Sequence, residues 1–146
     1  MSKKADKAAR DHRGEKNRRL ALRIMTMPKD TNPYGTVFGG VILSHVDQAG
    51  FVEARALGCH RWVTAAMTQV SFDSPVRLGD VATFWTRTIR KGTSSIDVRV
   101  DVEAERFDSG DIVPVTTATL TMVAVDPAGK PIPFENPPTA AYEVAR

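Results

Sequence analysis

The stretch GGVILSHVDQAGFVEARAL, residues 39–57, contains no proline, and Ile42, His45, Val46, Ala49, Glu53 and Ala56 recur in it at three- and four-residue spacing. That spacing marks one face of an α-helix. At about 100° per residue, Leu43, Gly50 and Ala54 widen the apolar arc, which leaves a narrow wet stripe near Ser44, Gln48 and Arg55. A helix with so little polar surface is expected to be enclosed on most sides. Gly58 stands where a left-handed C-terminal cap would follow it.

Outward from this helix the pattern is that of strands. Upstream, Leu20, Leu22 and Ile24 alternate with Ala21, Arg23 and Met25, which predicts a first strand ended by Met27 and Pro28. Lys29 through Val37 holds Asp30, Asn32, Pro33 and Gly35, all turn formers, and reads as an irregular loop. Downstream, Trp62–Phe72 and Val81–Arg90 are rich in β-branched and aromatic residues and are separated by Pro75 and Gly79-Asp80. Ile96, Val98, Val100, Val102 and Ala104 then alternate strictly with Asp97, Arg99, Asp101, Glu103 and Glu105, so one face is buried and the other faces water. Val115–Val125 completes the set. The expected class is α+β: an antiparallel sheet of five or six strands wrapped around one long central helix. Short connections suggest that the last four strands are antiparallel neighbours.

At 146 residues the chain is one domain's worth. Residues 1–19 carry eight Lys or Arg against three Asp or Glu, a balance of +5, while the remainder has 12 against 14. The basicity therefore belongs to a flexible N-terminal tail, the domain proper spans 20–133, and 134–146 form an extended C-terminal tail. The last 20 residues hold five of the nine prolines, which argues for a loosely packed segment there. The basic tail has no aromatic residue to stack on a base, so no nucleic-acid partner is expected. No run approaches the ~18 apolar residues of a membrane span, and no membrane association is expected. A single cysteine, Cys59, rules out an intrachain disulfide and fits a cytoplasmic, reducing location.

No nucleophile elbow, P-loop, dinucleotide fingerprint or H-E-x-x-H pattern is present. Cys59 and His60 are adjacent and diverge, so Cys59 reads as a small buried hydrophobe. His45 and Asp47 lie some 200° apart around a helix and cannot share a metal; no metal site is expected. Asp47 stands out as a mid-helix carboxylate beside the arc of Leu43, Gly50 and Ala54, where its charge needs a reason. It either borders the wet stripe or does chemistry. Glu53, nearer the apolar centre, is expected to be bonded within a subunit interface. Gly39-Gly40 opens the helix behind a loop containing Asn32. Free N–H groups at the positive end of a helix dipole suit a developing oxyanion, as in acyl transfer, although a glycine pair also serves a tight turn.

The string PKDTNPYGTVFGG, residues 28–40, followed by Ile42-Leu43 and Asp47, resembles the hotdog-fold acyl-CoA thioesterases, and more narrowly their cytosolic acyl-CoA hydrolase branch. The match continues through Val63-Thr64, Phe72 with Pro75-Val76, Gly79-Asp80-Val81, Lys91–Ser95 and Val123–Asp126. The resemblance implies a hotdog fold pairing into a double-hotdog dimer, at least a homodimer and, as a further assembly, a trimer of dimers. It implies hydrolysis of acyl-CoA to coenzyme A and a free carboxylic acid within fatty acid metabolism, with no cofactor, coenzyme A being part of the substrate. By the same resemblance Asp47 is the general base or nucleophile, Asn32 of the partner positions water or the carbonyl, and the helix start at Gly40 polarises that carbonyl. Phe38, Gly39 and Thr68 would line the substrate site. Arg90, Lys91, Gly92, Thr93, Ser94 and Ser95 would meet coenzyme A, where cations and hydroxyls suit phosphate and pantetheine; an ordinary hairpin is the alternative. Where such relatives often place a basic residue before the proline equivalent to Pro75, this chain has Asp73-Ser74. The rival readings are a non-catalytic acyl-CoA sensing module and an enoyl-CoA hydratase, the latter disfavoured by the spacing of His45 and Asp47.

Overall fold

The structure is a computed structural model that describes residues 17–139. The first 16 residues, most of the basic N-terminal segment, lie outside the described part, as do residues 140–146. Strand β1 (Arg19–Met25) leads through a 3-10 turn (Pro28–Asp30) to helix α1 (Gly39–Arg55). Four strands follow: β2 (Arg61–Phe72), β3 (Val81–Lys91), β4 (Ser95–Glu105) and β5 (Ile112–Val125). Every pairing is antiparallel, in the order β1-β3-β4-β5-β2. The sheet curls around α1, and Ile42, Val46, Ala49 and Ala54 of the helix meet Phe84, Ile96, Val98, Val100, Leu120 and Met122 in one core.

The strands thus number five, but β2 is not the neighbour of β3. It lies on the far side of β5, and α1 carries the chain from one edge of the sheet to the other. Short connections do not make neighbours here because the return segment, residues 73–80, is itself bonded. Val37 N–H donates to the Val76 carbonyl at 2.7 Å, and the buried Asp80 carboxylate accepts from Arg77 N–H, Phe107 N–H and the Arg106 guanidinium.

Other expectations fail for equally local reasons. The helix is not enclosed on most sides: Phe51 and Val52 are 40% and 43% exposed, so the outward side of α1 is open. Gly58 is not a left-handed cap, because α1 ends with Ala56 still in right-handed geometry (φ −67°, ψ −19°). Its glycine is needed for space, since a Cβ there would lie 2.8 Å from the His60 ring and 3.0 Å from the Phe134 carbonyl oxygen. It is His60, not Cys59, that is buried; Cys59 is exposed. The outer face of β4 is not all wet: Glu103 is buried beneath Arg18, whose guanidinium lies over the Trp85 ring. Arg18 and Arg19, grouped by charge with the tail, are therefore fixed to the domain. Among the described residues, the segment 130–139 adds no helix or strand, yet it is not loose. Ile132 N–H bonds the Ala124 carbonyl, Phe134 is buried against Trp62, and Thr139 N–H reaches the Cys59 carbonyl.

Glu53 is bonded within its own protomer. Its carboxylate, 5% exposed, accepts from Arg19, Thr86 and Thr88, and so ties α1 to β1 and β3. Burial, the largest influence, pushes its carboxyl up, but the Arg19 and threonine bonds together outweigh it and hold the group below the ordinary value. A lowered folded pKa contributes stability that is present above the unfolded value, near pH 4.3, and is lost as pH falls through the folded value. Glu53→Gln should be less stable than the parent by about 2 kcal/mol at pH 7. That difference should shrink below about pH 4; urea titrations at pH 7 and pH 3 that give the same difference would exclude the carboxylate as its source.

Candidate active site

Asp47 projects from the open side of α1, two turns into the helix, into a cavity of about 510 Å³. Leu22, Gln48, Phe51, Val52, Trp62, Val63 and Thr64 complete the lining. The hydroxyl of Thr64 on β2 donates a short hydrogen bond to Asp47 Oδ1. One carboxylate oxygen is thereby oriented by the sheet, at the wall of the cavity. His45, two residues earlier, is directed elsewhere: its Nδ1 bonds the Val41 carbonyl at 2.8 Å and its ring packs on Phe84. Among the described residues no group of three or more His, Cys, Asp or Glu comes together as metal ligands.

The second half of the arrangement lies at the start of the same helix. Val41 and Ile42 give the first backbone bonds to the Phe38 carbonyl, so the amides of Gly39 and Gly40 precede the bonded turn and carry the positive end of the helix dipole. Phe38 offers no side-chain cap to consume them. A Cβ built on Gly40 would meet nothing within 4 Å, so crowding inside the protomer is not what calls for glycine there. Beside these amides opens a second cavity, about 360 Å³, lined by Gly39, Ile42 and Phe72 with Asp73, Ser74 and Thr116 among its polar members. Phe38 itself is exposed at this corner.

Asn32 shapes the loop in front of the helix. Its Oδ1 accepts from the N–H groups of Tyr34 and Thr36, and its Nδ2 donates to Thr36 Oγ1 at 2.7 Å. One amide hydrogen remains for another partner. Asp30 braces the same loop: it accepts from Met27 N–H and its backbone carbonyl holds Phe38 N–H. That backbone bond, followed by the one from Lys29, keeps the Asp30 carboxyl below its ordinary value.

Asp47 and the helix start are not brought together. Seven residues of helix separate Gly40 from Asp47, about 10 Å along the axis; Gly39 lines one cavity and Asp47 the other. The turn Lys91–Ser95 lines neither cavity. Within it, Arg90 is committed to Asp97 at 2.7 Å and to Ser95, Gly92 N–H bonds the Ser95 carbonyl, and the Thr93 and Ser94 carbonyls receive Phe134 and Ala124. Lys91 is exposed. Thr68 lies on an exposed stretch of β2 and also lines neither cavity; its neighbour Gln69 has a φ of 52° where β2 and β5 slip register. Sequence reasoning did not single out Thr64. Val63-Thr64 stands in the matched segments, and a threonine on the strand that returns beside Asp47 is the physical signal, but one chain alone does not say which strand residue faces which helix residue.

The chain is similar to known proteins in both sequence and fold. The family model of the Thioesterase superfamily matches residues 34–106. The acyl-CoA thioester hydrolase YciA of Salmonella typhimurium is 38% identical over 118 residues, 79% of this chain and 89% of that protein. A hexameric hotdog fold thioesterase of Campylobacter jejuni superposes with a TM-score of 0.76 at 42% identity, covering 80% of this chain and 90% of that one. A hexameric thioesterase of Yersinia pestis superposes with a TM-score of 0.77 at 38% identity, covering 80% and 96%.

The Asn32 bonds set a stability expectation separate from any chemistry. Asn32→Ala removes two acceptor bonds and one donor bond from a solvent-facing loop, and unfolding in urea should show a loss of roughly 1 kcal/mol. An unchanged midpoint would mean that the loop holds its shape without the side chain.

Proposed function

The chain belongs to the Thioesterase superfamily and has the hotdog fold, and from that premise we propose that it hydrolyses acyl-CoA thioesters to coenzyme A and a free carboxylic acid. The observation that carries the reading is Asp47, oriented by Thr64 at an apolar cavity, together with uncommitted amides at the start of the same helix. A thioester has a good leaving group. Its hydrolysis needs an aligned oxygen nucleophile and a grip on the carbonyl oxygen as negative charge develops there.

In this mechanism Asp47 takes a proton from water as the water oxygen bonds to the acyl carbon. The Gly40 region stabilises the oxyanion, the C–S bond breaks with its electron pair on sulfur, and the proton passes to the departing thiolate. In the alternative sequence Asp47 attacks first and water opens the resulting anhydride. Thr64 holds the carboxylate rotamer in both. The chemistry consumes only water and is written through the chain's own groups.

Because Gly40 and Asp47 stand about 10 Å apart along one helix, we assign the complete site to two protomers, with the helix start and Asn32 of one facing Asp47 of the other. The edge of the sheet supports this. β2 presents exposed Val63, Thr64, Ala65, Ala66, Thr68 and Val70 with no charge between Trp62 and Phe72, and an uncharged edge of that length calls for a partner. Edge-to-edge pairing of two β2 strands makes the dimer, and the hexameric Campylobacter and Yersinia proteins support a trimer of dimers. The Lys91–Ser95 turn, with its exposed lysine, is assigned to coenzyme A; Arg90, already paired with Asp97, shapes that turn more than it binds. No helix among the described residues is long and apolar enough to cross a membrane, and a cytoplasmic site of action in fatty acid metabolism is part of the proposal.

The test is release of free thiol from esters running from acetyl-CoA to palmitoyl-CoA, with one aromatic ester. Asp47→Asn should lower kcat by about 10³-fold with the oligomer intact by sedimentation. Thr64→Val should lower kcat roughly tenfold with KM little changed, and Thr64→Ser should restore it. Tight binding of the esters without turnover in the parent protein would replace hydrolysis with ligand sensing.

A further inference from the structure

Trp62 shares the lining of the Asp47 cavity, and it is held from behind by the C-terminal segment. Thr64 and Trp62 are two apart on β2, so they share a face of the strand about 7 Å apart, with Thr64 bonded to Asp47 and Trp62 toward the helix C-terminus. Phe51 and Val52, four and five residues beyond Asp47, flank the same end. An acyl chain laid from Asp47 along Phe51 and Val52 would meet the Trp62 indole.

Trp62 is only 6% exposed and its ring cannot swing away. Its Nε1 donates to the Gly58 carbonyl at 2.9 Å, the Phe134 ring packs behind it at 5.9 Å, and the His60 ring meets it edge-on at 6.2 Å. Phe134 is in turn locked. Its N–H bonds the Thr93 carbonyl, and its own carbonyl accepts from His60 Nε2 at 2.8 Å, which fixes the hydrogen on that nitrogen. His60 Nδ1 bonds the Thr139 hydroxyl, and Thr139 N–H closes the loop onto the Cys59 carbonyl. The pieces of this clamp do not touch Asp47, Asn32 or the helix start.

We propose that Trp62, braced by Phe134 and the His60-latched segment 132–139, is the wall that sets the acyl-chain length the enzyme accepts. The inference rests on the thioesterase reading above. It places substrate selectivity in a segment that is sequentially remote from the reacting groups, and it makes Trp62 and Phe134 specificity-determining rather than catalytic. Removing the wall lets additional methylenes enter apolar space, each worth roughly a fourfold gain in kcat/KM when buried.

The experiment compares kcat/KM for butyryl-CoA and octanoyl-CoA in the full-length protein and in Trp62→Leu, Trp62→Phe and Phe134→Ala. The octanoyl-to-butyryl ratio should rise about tenfold or more in Trp62→Leu, and by a smaller factor in Phe134→Ala, where Trp62 can yield into the vacated space. Trp62→Phe should stay near the parent ratio. An equal fall on both esters in folded variants, or an unchanged ratio, would overturn the proposal by reducing Trp62 to a packing role. If Trp62→Leu does not fold, Phe134→Ala and Trp62→Phe still decide it, and if Phe134→Ala also fails, Phe134→Leu reads the same ratio. A parent protein that cleaves no ester would instead refute the underlying reaction, a result distinguishable from cleavage with an unmoved length profile.

Discussion

The close approach of α1 to the sheet at Gly50 governs the rest of the molecule. A Cβ at that position would lie 3.0 Å from Leu120 Cδ2 and 3.6 Å from Met122 Sδ, so a larger residue is accommodated only if the Leu120 side chain or the helix shifts. Ala49, Gly50 and Ala54 together make a stripe of small side chains on the buried side, with Ile42 and Val46 filling the wider end. Dense packing on one side leaves the other side uncommitted. Asp47, Gln48, Phe51 and Val52 are therefore presented outward on a rigid support.

Two kinds of carboxylate on one helix illustrate the point. Glu53 sits among Arg19, Thr86 and Thr88, all its oxygens spoken for, and its work is to join three elements. Asp47 has one oxygen oriented by Thr64 and lines a cavity. The difference follows from six residues of helical rotation, which turn one side chain toward the β1–β3 edge and the other toward β2. A functional group on a helix is positioned by what the opposite face buries, and here that face is set by glycine and alanine.

Much of this was legible in the sequence, and what was not has a physical reason. The long helix, the strict alternation of β4 and the identity of Asp47 as the carboxylate needing explanation are all local: they depend on periodicity and on the cost of a charge in mid-helix. Strand order is not local. Nothing in the residues between Phe72 and Val81 announces that β2 leaves β3 and pairs with β5, since that depends on where the helix crosses. Thr64 escaped for the same reason, being defined by the register between a strand and a helix. Cys59 and His60 were exchanged because adjacent residues at a helix end point apart and composition favours the thiol inside, whereas His60 is satisfied there by a hydroxyl and a carbonyl. The local role of Asn32 was open to reading, because an asparagine ahead of Pro-Tyr-Gly is a ready Asx turn. The firm C-terminal segment was not, because proline content describes a lack of regular structure and says nothing about Phe134 finding Trp62.

The strand order also has a kinetic side. β3, β4 and β5 form a meander of two adjacent hairpins, whereas β2 pairs with β5 across the whole of that meander. Loop closure favours the contacts nearest in sequence, and topologies with distant pairings fold more slowly. The meander is thus expected to form early, with α1 and β2 docking onto it afterward, an order that pulsed hydrogen exchange would read strand by strand. In that sequence of events the uncharged β2 edge is the last part of the sheet to be organised. Newly made protein at high concentration is then most exposed to aggregation in the interval before that edge is organised.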